Sequence, residues 1–184
     1  MAVNIRSKSL KRVFWFTVFA TVAVYIAIVA WSSPTISGHA DGLRMFDLRP
    51  TGYDFQEAEV FLSALTDEGR IFYLSIQHRL DIAYPALLAI TTMWAFLLLL
   101  PRNKLALLAL LLPVCAMVFD YLENLAVAVM LHSGTQNLTA EMVSRASGYS
   151  VLKSGFTTAS MSLLMVLVLL RIYHRWSKRH SEKS

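Results

Sequence analysis

Five polar side chains interrupt stretches that are otherwise apolar: Asp81, Asp120, Glu123, Asn124 and Lys153. A charge within a membrane span costs at least ~2.5–3.5 kcal/mol at the centre of the bilayer, so it persists only where it is paired, hydrated or close to an interface. Asp120 and Glu123 are three residues apart and Asn124 is four from Asp120, which puts all three on one helix face. With Arg171 counted at the membrane edge, Lys153 is the only basic residue inside an apolar stretch, and opposing it to two or three carboxylates is the expected way to neutralise them. His78 and Tyr84 fall near the same level, as do Gln77, Tyr121 and Tyr149. Such a set can hydrogen-bond and ion-pair. It predicts an outward-facing polar pocket for a small molecule, an ion or a lipid headgroup, with Asp81, Asp120, Glu123, Asn124, Lys153, His78 and Tyr84 as its binding residues.

Two other uses of the same residues stay open. One is a non-catalytic scaffold or partner subunit, in which Lys153 pairs with Asp120 or Glu123 to lock the helices. The other is an intramembrane lipid-modifying enzyme, with a carboxylate as general acid or base. No catalytic residue is assigned, and no cofactor is readable. His78-x-x-Asp81 and Asp120-x-x-Glu123 are generic spacings, so no metal site is assigned either. No H-E-x-x-H, G-x-S-x-G or phosphate-cradling loop is present. Ser154, Thr157, Thr158, Ser160 and Ser162 imitate a catalytic row. With Gly155 and Ala159 they are expected to form a small-residue face for close helix packing.

The elements that carry these residues are four long apolar runs at about 13–31, 80–100, 105–131 and 149–172, bracketed by charge. Each is near the ~20 residues a helix needs to cross a bilayer. The chain has 184 residues, 56% of them hydrophobic, and a mean hydropathy of +0.52. A soluble domain is nearer ~45–50% apolar. One membrane domain over 1–184 is expected, with an outer cap segment at 32–70. Counting ~20 residues from the cytoplasmic ends of the second, third and fourth runs brings Asp81, Glu123 and Lys153 within a few residues of the outer boundary. Pro85 and Pro113 are expected to kink their helices. The single cysteine, Cys115, excludes an intrachain disulfide.

Basic residues set the orientation. Arg6, Lys8, Lys11 and Arg12 precede the first run, Arg102 and Lys104 separate the second from the third, and five more from Arg171 to Lys183 follow the fourth. The opposite side takes six, spread over longer segments. The positive-inside bias puts both termini in the cytoplasm of a multi-pass cytoplasmic (inner) membrane protein. The net charge of +5 therefore reflects topology and anionic headgroups rather than nucleic acid. The partners expected are membrane lipids and another membrane protein or a second copy of the chain.

In the outer segment, Asp54 with Glu57 makes a capping box. Ala58, Phe61, Leu62 and Leu65 then form one apolar stripe, which predicts a short amphipathic helix over Phe55–Asp67 with Gly69 as its stop. The fold expected is all-α: an antiparallel four-helix transmembrane bundle with a short amphipathic helix on the outer side. Gly69-Arg70, Tyr73, Asp81, Tyr84-Pro85, Asp120-x-x-Glu123-Asn124 and Lys153 together resemble uncharacterised bacterial four-span membrane proteins over roughly residues 55–170. That resemblance implies a layout and no activity.

Overall fold

The computed structural model describes residues 8–101 and 104–181. Arg6, Arg102 and Lys183, used above for orientation, lie outside the described residues. The described chain is all-helical. The first span joins α1 (Lys8–Ala27), a π-helical turn (Ile28–Ser32) and α2 (Ser33–Gly38). A 3₁₀ turn (Phe46–Leu48) and α3 (Phe55–Ala64) form the outer segment. The second span joins α4 (Asp67–Phe72), a second π-helical turn (Tyr73–Gln77) and α5 (His78–Leu99). A short α6 (Lys104–Leu108) leads to α7 (Leu111–Ser133), and α8 (Ala140–Ser181) completes the chain.

Four helices are long and apolar enough to cross a membrane. They exceed the apolar runs that mark them. The second covers 33 residues, or about 50 Å at 1.5 Å per residue, against a hydrocarbon layer of about 30 Å. The excess of the second helix and the first turns of the fourth stand at the end of the bundle that carries the cap. α1 packs on α5, α5 packs on α7 and α8, and α7 packs most extensively on α8. Large apolar side chains such as Phe16, Phe19, Leu125, Met165 and Leu169 remain exposed around the bundle, as lipid-facing residues must.

The main core is at the outer end. Phe46, Phe61, Leu62 and Met45 from the outer segment pack against Tyr73, Met130, Leu131 and Val143. The capping box forms as expected: the Asp54 side chain accepts from the Glu57 N–H at 2.8 Å, and Glu57 accepts from the Asp54 N–H at 3.0 Å. Ala58, Phe61, Leu62 and Leu65 are all buried. The helix ends at Ala64 rather than Asp67, because Thr66 starts the next one by capping the Gly69 N–H. Gly69 is therefore no helix stop. It lies inside α4, where an added Cβ would come within 2.5 Å of the His39 Cβ.

The outer segment docks on α8 at Gly52. Its φ of +84° suits glycine, and a Cβ there would lie 2.6 Å from the Ser147 hydroxyl. That hydroxyl accepts from the Tyr53 N–H at 2.8 Å. Arg49 lies over the rings of Phe46, Tyr53 and Phe61 at 5.6–5.8 Å and donates to the Arg44 carbonyl.

The two prolines differ in effect. Pro113 sits in the first turn of α7, just after the chain breaks from α6, where its missing N–H costs nothing. Pro85 lies inside α5 and shapes the site.

Candidate functional site

Pro85 has no N–H, so the carbonyl four residues earlier, that of Asp81, loses its helical donor. Asn124 of α7 replaces it, with Nδ2 donating to the Asp81 carbonyl at 3.0 Å. The Tyr121 hydroxyl donates to the next carbonyl, Ile82, at 2.9 Å. The proline break is thus fastened across the helix pair, and the freed carbonyl does not open into a pocket. The same Asn124 nitrogen donates to Asp120 Oδ1 at 3.2 Å, while its Oδ1 is buried without a hydrogen-bond partner.

The two π-helical turns face each other at the same level. Each widens its helix by one residue and re-aims the side chains that follow. Ser32 donates to Gln77 Oε1 at 2.5 Å, and Gln77 Nε2 donates to Asp81 Oδ1 at 2.6 Å. A hydrogen-bonded chain therefore runs from the first span to the Asp81 carboxylate, which is buried.

Lys153 of α8 reaches α7. Its ammonium forms an ion pair with Glu123 and stands 3.9 Å from Asp120 Oδ1. Glu123 is wholly buried and also accepts from the Ser150 hydroxyl. Above them, Asp47 of the outer 3₁₀ turn accepts from the Tyr73 hydroxyl. Tyr53 completes this upper layer. Burial pushes its phenol well above the usual tyrosine range, and the Glu123 charge adds to the effect.

A cavity of about 260 Å³ lies against this cluster. Asp81, Tyr84, Asp120 and Lys153 line it, with Ser154 and Thr157 beside them and Asp47, Leu48 and Pro50 above. Tyr84 stacks on Tyr25 at 5.8 Å at the α1 side. A second void, large enough for a single water, lies across Asp81 and is lined by Asp47, Tyr73, His78 and Asn124. Of the seven residues named from sequence, Asp81, Tyr84, Asp120 and Lys153 line the larger cavity. His78 and Asn124 line the smaller void, and Glu123 lies behind Lys153 at the α7–α8 seam.

Sequence reasoning missed Asp47 and Ser150. Asp47 sits in a stretch broken by glycine and proline, where no periodicity reports burial. Ser150 looks like any small residue of a span, and only its partner gives it weight. The small-residue face read on α8 needs correction. Gly155 has nothing within 4 Å of an added Cβ, and Gly155 and Ala159 are exposed. They make no close helix contact, and Ser154 and Thr157 line the cavity instead.

Three or four carboxylates facing one ammonium can accept hydrogen bonds and hold positive charge. Among the described residues, no three His, Cys, Asp or Glu side chains are grouped to hold a metal ion. The one serine–carboxylate pair among the described residues, Ser150 with Glu123, is buried and away from the cavity lining. Comparison of the chain with protein-family models, with curated proteins and with solved structures finds no match.

Proposed function

We propose that this chain is a multi-pass protein of the cytoplasmic membrane, with both termini in the cytoplasm, that binds a polar ligand in an outward-facing cavity among its spans. The observation that carries the reading is the 260 Å³ cavity, lined at one level by Asp81, Asp120 and Lys153 from three different helices. Empty space beside buried charge is unfavourable unless something polar fills it. The orientation rests on the excess of Lys and Arg at the inner ends of the spans.

A division of labour supports the reading further. Glu123, Ser150 and Asn124 are taken up in contacts between helices, which is the scaffold role. Asp81, Asp120 and Tyr84 keep surface on the cavity, which is the binding role. One cluster thus locks the bundle and furnishes a site.

Native mass spectrometry of the protein released from mild detergent tests this. A bound non-protein mass should survive activation in the wild type and disappear in Ser154→Trp, which fills the cavity from its α8 wall, with helical circular dichroism unchanged. Equal, bare spectra from both proteins would contradict the reading.

A further inference from the structure

The cavity is covered above and open at the side. Asp47, Leu48 and Pro50 of the outer segment roof it, and α5 and α7 supply its floor through Asp81, Tyr84, Leu88 and Asp120. Its flanks are the end of α1 with the π-helical turn that follows, through Tyr25, Ile28 and Val29, and α8, through Lys153, Ser154, Thr157 and Thr158. α1 and α8 both pack on α5, with no extensive contact between the two among the described residues. Tyr25 and Val29 are half-exposed (50% and 42%) on the outside of the bundle, and Thr158 is exposed on the opposite lip. With the helices set across the bilayer in the proposed orientation, the opening faces the acyl layer of the outer leaflet rather than the aqueous phase above.

The charge inside is unbalanced. The Lys153 ammonium is engaged by Glu123 and faces Asp120 at 3.9 Å. Asp81 is more than nine-tenths buried. Its Oδ1 takes the Gln77 amide, and among the described residues no hydrogen bond reaches its Oδ2. The lip has donors to spare, since the side-chain hydroxyls of Ser154, Thr157 and Thr158 have no partner among the described residues. An occupant that suits this lining carries a cationic nitrogen for Asp81 and Asp120, an anionic group for Lys153 and the lip hydroxyls, and an apolar tail that leaves between α1 and α8.

We propose that the ligand is an aminophospholipid of the outer leaflet, its headgroup ammonium seated at Asp81 and Asp120 and its acyl chains left in the membrane between Tyr25 and Thr158. This rests on the binding reading above and names its ligand. A charge-assisted hydrogen bond to a buried carboxylate suffices for about a tenfold preference.

Delipidated wild-type protein is titrated, by native mass spectrometry, with phosphatidylethanolamine, phosphatidylcholine and phosphatidylglycerol of matched chains, and with free phosphoethanolamine. Phosphatidylethanolamine should bind about tenfold tighter than phosphatidylglycerol. Asp81→Asn should erase that preference, and Thr158→Trp, which blocks the exposed lip and leaves every carboxylate in place, should remove lipid binding. Should Asp81→Asn fail to fold, the wild-type preference and Thr158→Trp decide the matter. Equal or tighter phosphatidylglycerol binding overturns this inference and leaves the binding reading standing. Free phosphoethanolamine binding as tightly as the lipid overturns the lateral route. No binding of any probe, with no mass retained on purification, sinks both.

Discussion

At the scale of single residues, Lys153 and Glu123 carry different weights from their neighbours. Glu123 is wholly buried at the α7–α8 seam, so removing its partner leaves an uncompensated charge. Lys153→Met should destabilise the protein by about 3 kcal/mol, measured by thermal unfolding in detergent. Adding Glu123→Leu should restore most of that loss, because two apolar side chains replace the pair. Asp120→Asn should cost nearer ~0.6 kcal/mol, the average for a polar contact between membrane helices, since Asp120 stands 3.9 Å from the ammonium. Equal losses from Lys153→Met and Asp120→Asn would reverse the assignment of Glu123 as the principal partner. The convergence of Glu123 with Lys153 was readable from the cost of charge in an apolar run and from counting depth along each span. Asp47 was not, because a turn segment has no period from which burial can be inferred. Which of the carboxylates meets the cavity was also hidden, since that depends on rotation about the helix axis.

At the scale of elements, the proline break in α5 and the amide of α7 form one device. Asn124→Leu should cost about 1–3 kcal/mol by leaving the Asp81 carbonyl unsatisfied. In a Pro85→Ala background the same change should cost much less, because residue 85 then supplies its own helical N–H. Additive losses in the double-mutant cycle would show that Asn124 acts elsewhere. The sequence predicted a kink at Pro85 and placed Asn124 on the Asp120 face, but joining the two required the register between α5 and α7. The two π-helical turns were not readable at all, since each depends on the fit of the first span against the second. Gly52 acts in the outer segment. Gly52→Ala should lower the thermal midpoint and speed tryptic cleavage at Arg44, because the new methyl collides with Ser147 at a backbone angle that disfavours alanine. Unchanged cleavage would mean that the outer segment does not need this close approach.

At the scale of the whole molecule, hydropathy and capping signals told most of what the fold contains: four spans, and a capped amphipathic helix that closes the outer end. They misplaced the extent of the helices, because periodicity ends where the hydrocarbon does, while the second and fourth helices continue beyond it to hold the cap. The proposed orientation rests on charge. In a Cys115→Ala background, Glu68→Cys should react with an impermeant maleimide added to intact cells, and Ser177→Cys only after permeabilisation; the reverse pattern would invert the topology. On the proposed function, side chains from α5, α7 and α8 enclose an occupied space beneath the cap. A crystal structure of the protein grown from a lipidic mesophase tests it most directly. Density not belonging to the chain is predicted between Tyr25 and Thr158, reaching Asp81 and Asp120. A cavity closed by the protein's own side chains, or Asp81 and Lys153 turned apart toward the lipid, would contradict it.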